Sequence, residues 1–543
     1  MIGYRQHQRD GGHAGQSPRL RTLRLALGAA TAAWLSLAPL TATAQDAAAQ
    51  NTAGQPAGPS AKAKVEALLP DFEAMIEKGM TEFAVPGASV GIVVGDEVVY
   101  AKGFGVRASG GAPVDTGTLF QIGSTTKAFL ATTLAILVEE KKLEWAQRVL
   151  AVDPTFTVHD PWVTREFRVF DLLAQRSGMR PYVNDVMTGL GYDADALVYS
   201  LRFAEPITSF RSTFGYVNIL HLIAGRIVAR LEDKADWFEV AEERILGPLG
   251  MTRTSSTAAA IEADANHAEG HRFDGKGAVA IPFDPSFPYI LGPAGNLNSS
   301  VDDMTKWVRT LVGRGSFEGK EIVPEAGLRY TWTPKVALND QQSYALGWVI
   351  QELPEGRVVW HNGGTSGFGA HVGLIPEENV GIVILSNSEN RGFPDASAMW
   401  FYRRILGEPD FDHLAQAAAA AKAKFDAEAA SYAKPADARP PRPLADLAGA
   451  YGTQEFGPAA ITVDGERLVM ALEKTGAKLA LEPFDGDVFT VRLLPEGRFA
   501  PIVATSGDQP AGFAQFQMDA KGRLDSLRLI LDEQPYLFDR TGD

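Results

Sequence analysis

Leu119-Phe120-Gln121-Ile122-Gly123-Ser124-Thr125-Thr126-Lys127-Ala128-Phe129-Leu130 is the stretch from which the rest of the chain can be read. From Lys127 onward, Ala128, Leu130, Leu134, Ala135, Leu137 and Val138 recur at near-helical spacing. The residues before Ser124 read as a loop leaving a strand. Ser124 is therefore expected at a helix N-terminus, where free N–H groups and the helix dipole favour a developing negative charge. Lys127, three residues on, shares that helix face, with Cβ atoms roughly 5–6 Å apart. A serine hydroxyl is a weak nucleophile until a neighbouring group takes its proton, and an amine at this distance is such a group. Ser-x-x-Lys is a weak signal on its own, since roughly one match arises by chance in a chain this long. Ser431-Tyr432-Ala433-Lys434 supplies a second match, in an Ala-rich stretch with no other site-like residue.

Composition narrows the field. At 543 residues the chain exceeds one ordinary core, and two or three domains are expected. It has no cysteine, which excludes disulfides, thiolate metal sites and a cysteine nucleophile. The net charge is −15, and −19 once residues 1–44 are set aside. An acidic chain without a basic patch argues against a nucleic-acid partner. His267-Ala268-Glu269-Gly270-His271 has the spacing that would place two rings on one helix face. Gly270 and the polar surroundings oppose a helix there, and no metal is expected.

Residues 1–44 read as an export signal. Arg19, Arg21 and Arg24 precede the uncharged run Leu25–Leu40, and Ala42-Thr43-Ala44 offers a small-residue cleavage site. A periplasmic or secreted protein follows, with no stable membrane insertion after cleavage. Residues 45–62 read as a flexible leader. A helix is expected near Val65–Gly79, then strands at Gly87–Val94 and Glu97–Val106 joined by Gly95-Asp96. Helix signals occupy the middle of the chain, at Val169–Ala174, Ile219–Leu231 and Trp237–Leu246. Strands return at Leu346–Leu353, Val358–Trp360, Ala370–Ile375 and Val380–Ser386. Strands at both ends of a segment with helices between predict one antiparallel sheet closed by sequence-distant strands, an α/β (α+β) arrangement with a helical subdomain inserted. A first domain is placed at 63–412 and an Ala/Pro-rich linker at 413–443. A small all-β domain, a barrel, is placed at 444–543 with strands Ala460–Val463, Arg467–Leu472, Lys478–Leu481, Val488–Leu493, Gly512–Met518 and Leu524–Leu531.

Further short motifs accompany Ser124. Two Tyr-x-Asn matches occur, Tyr182-Val183-Asn184 and Tyr216-Val217-Asn218. Beyond the signal, two His-x-Gly matches occur, His361-Asn362-Gly363 and His371-Val372-Gly373. Their order and surroundings discriminate. Gly123-Ser124-Thr125-Thr126-Lys127-Ala128-Phe129, Phe214-Gly215-Tyr216-Val217-Asn218, Ile245-Leu246-Gly247-Pro248-Leu249-Gly250-Met251-Thr252, Pro293-Ala294-Gly295-Asn296-Leu297-Asn298-Ser299-Ser300 and His361-Asn362-Gly363 run in sequence. Together they resemble the serine β-lactamase and penicillin-binding-protein superfamily, in its class C β-lactamase, esterase and D-aminopeptidase branch, over about residues 65–410. Asp171–Met179 resembles the loop after the first motif, with Gln175 and Arg176 where the family usually has His and Thr.

The resemblance implies a β-lactamase-like fold, an acyl-enzyme mechanism and no cofactor. It implies Ser124 as nucleophile, Lys127 as the amine sharing its proton, and Tyr216 as proton relay to the leaving group. Asn218 would contact the substrate amide and fix Lys127. His361 would stand on an edge strand beside the site. Gly363, Gly364 and Thr365 would follow it along the substrate, with the N–H groups of Ser124 and Gly364 forming the oxyanion hole. β-Lactamases carry lysine where this chain has His361, which points to the peptidase and esterase members. The substrate implied is a small molecule or short peptide: an amide, peptide or ester, D-amino-acid compounds included. A β-lactamase or penicillin-binding D-Ala carboxypeptidase is the first alternative, and a non-catalytic receptor for peptidoglycan fragments the second. The C-terminal domain resembles lipocalin-like barrels appended to such hydrolases, for which gating of the site and homo-oligomer assembly are both compatible roles.

Overall fold

The computed structural model describes residues 60–108, 110–408, 411–507 and 509–542. The expected export signal and the leader through residue 59 lie outside the described residues. Ser60 opens the chain's first helix, α1 (Ala61–Phe83), by accepting the Ala63 N–H on its hydroxyl. The helix runs several residues beyond the apolar spacing at both ends.

Eight strands form the main sheet: β1 (Gly87–Val94), β2 (Glu97–Gly105), β3 (Val336–Ala337), β4 (Gln342–Tyr344), β5 (Val349–Leu353), β6 (Gly356–Thr365), β7 (Phe368–Ile375) and β8 (Val380–Ser386). Their order is β2-β1-β8-β7-β6-β5-β4-β3, antiparallel throughout. The first and last strands lie side by side, with Val90 opposite Ile384, so the sheet is closed by sequence-distant strands as the pattern predicts. Strand periodicity sorts the core into two layers. Val90, Ile92, Ile382 and Ile384 pack with α1 and α5 (Phe393–Ile405) on one face. Val372, Leu374, Val383 and Leu385 face the other way, into the core shared by α2 (Thr126–Glu139), α3 (Ile219–Leu231) and α4 (Val301–Val312).

Every residue of α2 from Thr126 to Leu137 is buried. Its apolar spacing reflects a helix enclosed on all sides rather than an amphipathic one. Two expected helices differ in kind: Val169–Leu172 is a 3₁₀ turn, and Trp237–Ala241 passes into a π-helical turn at Glu242–Leu246.

The C-terminal region is a closed eight-stranded antiparallel barrel: β9 (Gly449–Thr453), β10 (Gly457–Asp464), β11 (Arg467–Leu472), β12 (Lys478–Asp485), β13 (Val488–Leu493), β14 (Gly512–Met518), β15 (Leu524–Leu531) and β16 (Gln534–Arg540). Six of these were expected. The two that were not, β9 and β16, pair with each other and close the barrel. Within residues 413–443 the Ala-rich stretch Ala417–Ala430, whose composition reads as a solvated helix, is helical. Helix α6 (Leu414–Ser431) buries Leu414 and Ala418, and its Phe425 meets Phe273 edge-on at 5.2 Å. Tyr432 then stacks on Phe513 of the barrel at 5.1 Å. The barrel also rests on the segment carrying Tyr182 and Asp185. The Tyr192 hydroxyl donates to the Phe456 carbonyl at 2.6 Å, and the Gln534 amide donates to the Pro181 carbonyl at 3.1 Å. Among the described residues, no helix is long and apolar enough to cross a membrane.

Candidate active site

Ser124 lies in a 3₁₀ turn, Gly123–Thr125, two residues before α2 begins at Thr126. The turn is pressed against β6. Gly123 has φ +51°, and a Cβ there would lie 2.7 Å from the Gly364 nitrogen. A Cβ on Gly363 would lie 2.0 Å from the Ile122 carbonyl oxygen and 3.1 Å from the Ser124 nitrogen. Two glycines facing each other thus let the Ser124 turn and β6 approach more closely than any larger side chain would allow. Thr365 follows, buried, its hydroxyl without a hydrogen-bond partner.

Lys127 is fully buried, and its Nζ reaches Ser124 Oγ at 3.0 Å, Asn218 Oδ1 at 2.8 Å and the Ala294 carbonyl at 2.6 Å. Burial pulls its pKa down from the usual lysine range to about 7, with the negative charge of Asp185 acting in the opposite direction. Amide and backbone carbonyl oxygens only accept hydrogen bonds. A neutral Lys127 therefore spends both N–H groups on Asn218 and Ala294 and turns its lone pair to the Ser124 hydroxyl. Ala294 gives the Pro293–Ser300 landmark a physical role that its sequence did not disclose.

Tyr216 stands over this pair. The Lys127 Nζ lies 4.8 Å from its ring centroid, and Ser124 lies near enough to its hydroxyl to act on the phenol's charge state. Burial, then the neighbouring Tyr344 and Tyr182, hold its pKa well above the usual phenol range, so it acts as a neutral phenol. Gln175, one of the two departures from the family pattern, accepts the Val217 N–H at 2.6 Å and so fixes the Tyr216–Asn218 segment. Arg176, the other, shares the buried carboxylate of Asp171 with Arg211.

His361 also belongs to this cluster, but both its nitrogens have internal partners. Nδ1 lies 2.6 Å from the Asn362 carbonyl, and Nε2 lies 3.0 Å from the Tyr344 hydroxyl. The carbonyl can only accept, which puts the proton on Nδ1 and makes Nε2 the acceptor from Tyr344. Burial, then the nearby Lys127, push its pKa down to about 3, so the ring is neutral. Tyr344 packs edge-on against Tyr216 at 6.2 Å. The expected edge strand is a correction: β6 lies inside the sheet. Its pairing with β5 stops at Trp360, however, so His361 to Thr365 have β7 on one side and no β5 partner on the other.

The duplicate motifs separate cleanly. His371 turns to the opposite face, bonding Asp395 at 2.8 Å and Tyr402 at 3.0 Å. Ser431 ends α6 exposed, donating to the Glu428 carbonyl at 2.6 Å. Tyr182 is different. Its N–H donates to the Tyr216 carbonyl at 2.6 Å and its ring lies 5.3 Å from that of Tyr216. Asp185, three residues later, accepts from Asn218 Nδ2 at 2.6 Å. Neither Asp185 nor Tyr344 carries a sequence signal, because their partners lie 33 and 17 residues away.

A serine bonded to a buried amine at a helix start, flanked by a glycine-bearing strand of an antiparallel sheet, defines a serine hydrolase of β-lactamase type. The beta-lactamase family model matches residues 72–406, and the chain belongs to that family. Residues 433–540 match a domain of unknown function, DUF3471. An unguisins hydrolase of Aspergillus campestris is 26% identical over 475 residues, covering 80% of this chain and 86% of its own length. Protein flp of Staphylococcus aureus is 23% identical over 329 residues, 60% of this chain and 64% of its own. Among solved structures, an octameric penicillin-binding protein homologue from Pyrococcus abyssi has the same fold, with TM-score 0.57 and 22% identity over 87% of this chain and 100% of that one.

Proposed function

We propose that this beta-lactamase-family protein hydrolyses small amides, peptides or esters, D-amino-acid compounds included, through an acyl-enzyme on Ser124. The observation that carries the reading is the 3.0 Å bond from Ser124 Oγ to a lysine whose two other partners are carbonyls. In this scheme the Ser124 oxygen bonds to the substrate carbonyl carbon while its proton passes to Lys127. The oxyanion forms between the Ser124 and Gly364 N–H groups. The C–N or C–O bond then breaks, with the proton returned to the leaving group by way of Tyr216. Water attacks the acyl-enzyme along the reverse path. Asn218 keeps one amide N–H beyond that given to Asp185, enough to meet a substrate carbonyl. The unpaired flank of His361–Thr365 accommodates an extended substrate backbone as an added strand.

Relatives named as hydrolases of unguisins support a peptide-directed activity. A neutral His361 offers no fixed cation for a β-lactam carboxylate, which disfavours the β-lactamase alternative. Export to the periplasm or exterior, with no cofactor, completes the reading, and the octameric relative makes homo-oligomerisation worth testing by light scattering. The test of function is intact-mass detection of acyl adducts with β-lactams, D-amino-acid amides and short esters, beside labelling by a fluorophosphonate. Ser124→Ala is expected to abolish labelling and turnover, and Ser431→Ala to leave both unchanged. Labelling that survives Ser124→Ala would overturn the assignment.

A further inference from the structure

Asp185 is partly exposed as a residue, but its carboxylate points inward: Oδ2 accepts from Asn218 Nδ2 at 2.6 Å, and Oδ1 is buried without a hydrogen-bond partner. Through Asn218 the chain of contacts continues to Lys127 at 2.8 Å and Ser124 at 3.0 Å. An ionised carboxylate placed so deep, with one oxygen unpaired, carries a large desolvation cost unless a charge or a proton offsets it. The fold supplies the first at Lys127 and room for the second on the unpaired oxygen. The barrel completes the enclosure. Its turn Asp532-Glu533, with φ of +48° and +63°, joins β15 to β16, and the next residue, Gln534, is bonded to the Pro181 carbonyl.

We propose, on the serine-hydrolase reading above, that Asp185 is a positioning residue that orients the Asn218 amide and shares one proton with Lys127. The orientation follows from the chemistry of the three groups. A carboxylate demands the amide N–H₂ of Asn218, which leaves its carbonyl oxygen for the amine. Lys127, donating to the carbonyl end, and Asp185, accepting from the N–H₂ end, fix the Asn218 amide from both sides. The charge relation is mutual. Burial raises the Asp185 pKa to about 7, against the hydrogen bond from Asn218 and the charge of Lys127, which lower it. Burial lowers that of Lys127 to about 7, against Asp185. The groups facing Asp185 are Lys127, Tyr182 and Tyr216 from the hydrolase region, and Asp532 and Tyr536 from the barrel. Asp532 raises the Asp185 pKa further, so the barrel biases where the shared proton rests.

The pH dependence of Ser124 labelling by a fluorophosphonate, read by intact mass, tests this. In the wild type the rate is expected to rise as Lys127 loses its proton. Asp185→Asn keeps an acceptor for Asn218 and removes the charge that holds the proton on Lys127. The acid limb should then move to lower pH, by roughly one unit, and Asp185→Glu should restore it. Asp185→Leu, without an acceptor, should slow labelling at every pH by at least about tenfold. Asp532→Asn removes a charge that opposes ionisation of Asp185. It should strengthen the Asp185 charge and move the limb to higher pH, a shift of opposite sign that does not require Asp185→Asn to fold. Asp185→Asn or Asp532→Asn variants that lose rate with the limb unmoved would reduce Asp185 to a packing residue and overturn the inference. A wild type labelled at a residue other than Ser124 would instead overturn the hydrolase reading beneath it.

Discussion

At Lys127 a single burial event decides which atoms can react. An exposed lysine would stay protonated far above neutral pH and could not take a proton from serine. Enclosed by α2, Asn218 and the Ala294 carbonyl, it loses that proton at about 7. The sign follows directly: below that pH the amine is charged, its lone pair is occupied, and Ser124 has no base. Hydrolysis is expected to climb as pH rises through about 7, measured as kcat/KM on an uncharged ester. His361 contributes no limb near neutral pH, since it is neutral from about 3 upward. Tyr216→Phe is expected to lower kcat by at least about a hundredfold, the scale of a lost proton-transfer group, with little change in melting temperature. Tyr344→Phe belongs to another class. It removes the donor to His361 Nε2 and leaves a buried nitrogen unpaired, a cost of about 1–3 kcal/mol in stability. It should lower the melting temperature and, through the Tyr344–Tyr216 contact, also kcat.

β6 is the element that ties the sheet to this chemistry. It starts paired with β5, is paired on both sides at Val359 and Trp360, and from His361 pairs only with β7. The glycines in that last stretch let it touch the Ser124 turn. Gly363→Ala would set a methyl 2.0 Å from the Ile122 carbonyl, so the strand and the turn must separate. A loss of about 1–3 kcal/mol in stability is expected from such overpacking, together with loss of Ser124 labelling, checked by thermal melting and intact mass. The strands themselves were legible from alternation: Gly87–Val94, Val380–Ser386, Arg467–Leu472 and Leu524–Leu531 end where the pattern predicts. What escaped the sequence has a common cause. β9 reads Gly-Ala-Tyr-Gly-Thr and β16 carries Pro535 and two charges, so the glycines, the proline and the charges weaken the strand signal of Tyr451, Tyr536 and Phe538, and both strands are held by closing the barrel. The site residues Ser124, Lys127, Tyr216, Asn218 and His361 came from motifs. Asp185, Tyr344 and the Ala294 carbonyl came only from the fold, because contacts between distant segments leave no local pattern. Tyr182, set aside as a duplicate, packs against Tyr216 with its ring tilted, another contact between segments distant in sequence.

The whole molecule couples its two regions through apolar packing rather than through a tether. One contiguous buried cluster includes α2 and Trp307, passes through Met187, Leu190 and Tyr192, and continues into the barrel at Phe456, Phe499 and Tyr536. Phe456 is its pivot. It is fully buried, meets Tyr192 edge-on at 5.6 Å across the junction, and packs on Tyr536 at 4.8 Å and Phe538 at 5.5 Å within the barrel. Its carbonyl also takes the Tyr192 hydroxyl. A shared core of this kind makes the two regions unfold together, and scanning calorimetry of the full chain is expected to show one transition. Phe456→Ala removes a ring that serves both sides, at a cost of about 3–5 kcal/mol. Most of that loss should fall on the barrel and the 180–192 segment, since the main sheet keeps its own core between α1, α5 and α4. The calorimetric trace should therefore split, the barrel melting first. Ser124 labelling should fall with that first transition, because the segment that loses its support carries Tyr182 and Asp185. A variant whose labelling persists unchanged after the barrel has melted would mean that the site does not depend on this packing.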